Sequence, residues 1–107
     1  METIIAQPDL AHILMGEAGT CGMVGLLAVA WVYSRNKHMN GYSSYTSVQA
    51  DFIARFWYRF PDVTNGRKFV FSESDMRLPA VQRLIKIEGR SPPVVVECQK
   101  GLRLYVW

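Results

Sequence analysis

The chain has 107 residues, half of them hydrophobic and 20% charged, with a net charge of +3. This is the composition of one folded domain with enough apolar content for its own core, and it excludes a disordered or low-complexity chain. The 12 cations are spread without a run of like charge, which argues against a dedicated nucleic-acid arm, and Cys21 and Cys98 lack the Cys-x-x-Cys spacing of zinc or thioredoxin-like sites.

At the amino terminus, Met1 to Ile5 show no basic stretch leading into an apolar core and a small-residue cleavage site, so no signal peptide is expected. Pro8-Asp9 opens a predicted first helix, since proline suits a first turn and an acid suits the positive end of the helix dipole. The helix is expected to run to about Gly16. Leu10, Ile13, Leu14 and Glu17 fall on one face at the i, i+3, i+4, i+7 spacing of a buried stripe. Three of the four are core residues. The fourth is a carboxylate, and apolar neighbours favour its protonated form, which is what a general acid requires. The alternative is that Glu17 only ends the helix and reaches solvent or an arginine. His12 lies off the stripe; it and His38 read as surface residues.

Gly16, Gly19, Gly22 and Gly25 punctuate a turn that opens an apolar run, Leu26-Leu27-Ala28-Val29-Ala30-Trp31-Val32-Tyr33. No charge falls between Ala18 and Ser34, which predicts a central helix buried on every side. Once the turn is subtracted, the run is shorter than the roughly 20 apolar residues of a membrane span. Cys21 reads as a small filler in the turn, with a thiol nucleophile as the alternative. Its separation from Cys98 leaves a disulfide open.

The segment Gly16-Glu17-Ala18, a small loop, Gly25, Ala28-Val29-Ala30 and the polar end Ser34-Arg35-Asn36 resembles the signature of the cell-wall hydrolases that include the spore-cortex-lytic enzymes. In that family a Gly-Glu-Ala-Arg-Gly loop leads into a glycine, a Val-Ala-rich helix and an Asn-Arg end. The likeness covers residues 10–36. It departs at Gly19, which stands where the loop arginine is usual, in the missing second acid of the loop, and in the reversed Arg35-Asn36 order. The resemblance implies a lysozyme-like fold, with Glu17 as the catalytic acid acting on peptidoglycan glycan strands.

Beyond the central helix, residues 37–47 form a polar loop whose Tyr42 and Tyr45 are candidates for stacking on sugar rings, the alternative being that they pin the loop. Ser47 is the predicted cap of a third helix reaching Phe60. Its Phe52, Ile53, Phe56, Trp57 and Phe60 read as core, opposite Arg55 and Arg59. Asn65-Gly66 marks a turn before a short strand at residues 68–71. Glu73 and Asp75 precede a fourth helix from about Leu78 to Glu88, with Val81, Leu84 and Ile85 on its buried face. Both acids are candidates for substrate contact; a helix cap with solvated charge is the alternative. Pro92-Pro93 leads into two strand-like runs, Val94–Cys98 and Leu102–Trp107, around Gln99-Lys100-Gly101, which predicts a hairpin.

Without repeats or linkers, these elements predict one domain over residues 1–107 of mainly α, α+β class. The expected activity is glycan cleavage by a muramidase or lytic transglycosylase, with no metal and no cofactor. Glycosidic cleavage usually takes two carboxyls, and Asp51, Glu73 and Asp75 are the candidates to join Glu17. The resemblance also implies how one could suffice, since lytic transglycosylases use a single glutamate as acid and then base while the sugar's own 6-hydroxyl attacks. The missing signal peptide suggests a phage lysin, released from the host cytoplasm to the wall or carried on the virion. Two other readings compete: a non-catalytic phage structural or wall-binding module, and a small basic nucleic-acid binder, which the scattered charge disfavours.

Overall fold

The computed structural model describes residues 2–37 and 42–107, with side chains from residue 10 onward. Among the described residues, four α-helices and a three-stranded antiparallel sheet give the mainly α, α+β class expected. The helices are α1 (Glu2–Ala18), α2 (Gly22–Arg35), α3 (Val48–Phe56) and α4 (Pro79–Glu88), and the strands β1 (Val70–Phe71), β2 (Val94–Glu97) and β3 (Arg103–Val106).

α1 begins upstream of the predicted start, so Pro8 lies inside it at the cost of one backbone hydrogen bond. It also continues past Gly16, which puts Glu17 in its last turn. The buried stripe is Leu10, Ala11, Leu14 and Ala18, with Ile13 at its margin. Glu17, one position from Ala18, therefore stands at the edge of the core face.

α2 is buried from Gly25 to Ala30 and again at Val32, but Met23 and Val24 near its start are exposed. Burial on every side thus holds for its middle alone. α3 is capped as predicted, Ala50 N–H donating to Ser47 Oγ at 3.0 Å. It stops at Phe56, and a 3₁₀ turn, Trp57–Arg59, takes over. Its core face is Ala50, Ile53 and Ala54, while Phe52 is exposed and Phe56 and Phe60 only half-buried. The reason is close packing: α3 meets α1 and α2 through small residues, which leaves the large rings at the rim.

β3 lies between β1 and β2. β2 and β3 form the predicted hairpin, closed by the 3₁₀ turn Gln99–Gly101, with a bulge between Val94 and Val96 that leaves Val95 outside the register. β1 is the short strand expected near residue 70, pairing Val70 with Val106. α4 ends at Gly89 in the left-handed conformation (φ 74°), which lacks the Cβ penalty other residues would meet there. It buries Val81, while Leu84 and Ile85 are half-covered. Among the described residues no helix is long and apolar enough to cross a membrane.

Candidate functional site

Cys21 and Cys98 form a disulfide spanning 77 positions of the chain. It ties the turn between α1 and α2 to the foot of the β2–β3 hairpin, and Gln99 N–H reinforces the tie by donating to Thr20 O at 3.1 Å. Cys21 is therefore neither a free nucleophile nor a mere filler. Gly25 is a packing requirement of the same junction: a Cβ there would sit 2.3 Å from Cys21 Cβ.

A cleft of about 320 Å³ opens beside this disulfide. One wall is Glu17 and Thr20 at the end of α1; the other is Ser72, Glu73 and Ser74 after β1, with Arg77 and β3 residue Arg103 completing it. The fold thus brings together two of the acids singled out in the sequence, Glu17 and Glu73, which stand 56 positions apart in the chain. Glu17 is partly exposed there.

Glu73 is held from β3. Arg103 Nε donates to its Oε1 at 2.9 Å, Tyr105 Oη donates at 3.0 Å and Arg103 N–H at 3.2 Å. Arg103 and Tyr105 are two apart on one strand, so their side chains leave the same face. The guanidinium of Arg103 holds the Glu73 carboxyl below the usual carboxylate range, and the phenol of Tyr105 adds to this against partial desolvation. All three hydrogen bonds end on Oε1. Among the described residues no hydrogen bond falls on Oε2. Glu73 is therefore an oriented anion, not a solvated helix cap.

Asp75 does not line the cleft. Its Oδ2 accepts from Ser72 N–H at 3.0 Å, which shapes the loop that presents Glu73. Asp51 is exposed on α3 and is not brought to the cleft. Tyr42 and Tyr45 are exposed but line no part of it. Tyr42 stacks on His12 with centroids 5.2 Å apart, and Ser43 joins His12 twice, its N–H donating to His12 O at 3.0 Å and its O accepting from Nδ1–H at 2.7 Å. His12 is thus half-buried under the loop and pins it. His38 lies outside the described residues.

Sequence reasoning missed Arg103 and Tyr105. The Arg-x-Tyr alternation on a predicted strand places both on one face, but nothing in it names a partner thirty positions away. Arg35, at the polar end of α2, serves the fold. It pairs with Asp62 and donates to Thr64 Oγ1 at 3.0 Å and Arg67 O at 2.8 Å. Among the described residues no cluster of three or more His, Cys, Asp or Glu could hold a metal ion. No protein-family model, curated protein or solved structure matches this chain.

Proposed function

We propose that the chain cleaves the glycan strands of peptidoglycan, as the resemblance over residues 10–36 implies, with Glu17 as general acid and then base. The supporting observation is that Glu17 and Glu73, far apart in sequence, line one cleft, and that Glu73 is oriented there by Arg103 and Tyr105. A pair of carboxyls lining one cleft is the arrangement from which glycosidic cleavage draws its acid and its anion, and Glu73, held as the anion by Arg103, is suited to the second role.

In this reading Glu17 protonates the bridging oxygen between N-acetylmuramic acid and N-acetylglucosamine. Positive charge then builds on the sugar ring, and the Glu73 anion faces it across the cleft. Ser72, Ser74 and Thr20 supply hydroxyls for the sugar's own polar groups. Attack by water gives a muramidase; attack by the sugar's 6-hydroxyl gives a lytic transglycosylase. A lysozyme-like fold and a phage origin belong to the same proposal. The disulfide suits a protein that works outside a reducing cytosol, as one acting on the wall would.

The test is mass spectrometry of muropeptides released from purified sacculi by the wild type and by Glu17→Gln, both checked for cooperative melting. Wild-type release with anhydro or reducing ends, falling about 10²-fold or more in Glu17→Gln, is expected. Undiminished release by Glu17→Gln, or no release by the wild type, overturns the reading.

A further inference from the structure

A second cleft, of about 300 Å³, lies at the other end of α2, where Tyr33 and Lys37 meet Arg55, Trp57 and Tyr58. Its character is the reverse of the first. No Asp, Glu, Asn or Gln lines it, and its floor is apolar, Leu10, Ala30 and Ala54. Arg55, Trp57 and Tyr58 supply one side; the sequence pattern alone puts Trp57 on the core face of a helix and Arg55 opposite it.

We propose that this cleft binds single-stranded nucleic acid, stacking a base on its aromatic wall and placing flanking phosphates against Lys37 and Arg55. Tyr58 is 57% exposed, so a ring face is open to a ligand. Trp57 is braced from behind by Trp31, edge to face at 4.9 Å. The cations are not spent on carboxylates: among the described residues none pairs with Lys37, Arg55 or Arg59. Lys37 instead sits 4.8 Å over the Tyr33 ring, and the Arg59 guanidinium lies 6.0 Å from the Tyr58 ring.

Exposed aromatics interleaved with unpaired cations are how proteins hold single strands without reading sequence. An acidic glycan fits less well. Sugars are usually held by carboxylate and amide side chains that both orient and accept from their hydroxyls, and none lines this cleft. This departs from the sequence expectation of no nucleic acid. Cations that look scattered along the chain converge only once α2 and α3 are packed together.

The proposal is tested by fluorescence anisotropy of a short labelled oligo-deoxythymidine, titrated with the protein at several salt concentrations. Two phosphate contacts predict a log–log salt slope of about −1.4, and Arg55→Ala should make it shallower by about 0.7. Tyr58→Ala should weaken binding about tenfold at fixed salt and leave the slope unchanged, while Tyr58→Phe, which keeps the ring, should bind like the wild type. Both positions are exposed, so the variants should melt like the wild type. Three results would overturn the proposal: no binding at low salt, Tyr58→Ala binding like the wild type, or an acidic glycan or polyphosphate displacing the oligonucleotide at equal charge concentration. None of them bears on Glu17, so the two proposals fail separately.

Discussion

The Cys21–Cys98 disulfide carries the largest stability prediction. Replacing both cysteines by alanine removes a cross-link closing a loop of 77 positions. Loop-closure entropy for that length is worth about 4.5 kcal/mol at 25 °C in the chain-entropy account. Domains of this size are stable by about 5–15 kcal/mol in total, so the variant should keep as little as a small fraction of that margin. The loss should exceed that of most single substitutions, because the bond restricts the unfolded chain over most of its length. Urea unfolding followed by circular dichroism measures it. With a slope of about 1.5 kcal/mol per molar urea, the midpoint should fall by about 3 M, with the wild type plus a reductant moving to the same place. A shift below about 0.7 M, equivalent to about 1 kcal/mol, would refute the reasoning. It would mean either that the thiols do not pair or that the reduced chain keeps these segments together when unfolded.

Gly25→Ala should destabilise by about 2 kcal/mol despite alanine's better helix propensity, because its Cβ would collide with Cys21 Cβ; thermal melting measures this. Asp62→Ala should cost about 2–3 kcal/mol in the same assay, since Asp62 accepts from Arg35, from the buried Thr64 at 2.6 Å and from Gly66 N–H at 3.0 Å. Glu73 should titrate below the ordinary glutamate value in a carboxyl-carbon NMR titration, and Arg103→Ala should raise it toward that value. Its folded pKa is depressed, so the stability it confers is present above its unfolded pKa and lost as pH falls through the lower folded one. A Glu73 resonance unchanged by Arg103→Ala would refute that attribution.

The helices were legible because each leaves a local trace. Ser47 caps α3, Gly89 ends α4, and the uncharged run of α2 has one use in a small domain, its centre. The hairpin was legible from two β-rich runs around Gln99-Lys100-Gly101. What could not be read was which local feature meets which. Glu73 looked like a cap because its own neighbourhood is a helix start, and its partners Arg103 and Tyr105 arrive with the last strand. Phe52 looked like core because its spacing is that of a buried face. Spacing fixes a shared side, however, and small residues at Ala50 and Ala54 decided which side closes against α1 and α2. The disulfide was undecidable for the same reason, resting on where two turns come to lie.

The glycine-rich turn shows how packing and chemistry divide one motif between them. Gly25 belongs to the segment that resembles a wall-hydrolase signature, yet a Cβ there would collide with the Cys21 side chain one turn earlier, at the cap of the same helix, so packing alone accounts for it. Its presence therefore says nothing about substrate. Glu17 is different in kind. The core face of α1 is complete with Leu10, Ala11, Leu14 and Ala18, and packing that stripe does not call for a carboxylate at the next position toward the cleft. An acid in the last turn of a helix also stands against the helix dipole, an arrangement that costs stability when its only role is to end the helix. What sets Glu17 apart is that it lines a cleft together with a second, oriented carboxylate, which is why the proposed activity is placed on it. The proposed activity accordingly rests on Glu17 and not on the glycines around it, and Glu17→Gln separates the two where Gly25→Ala cannot.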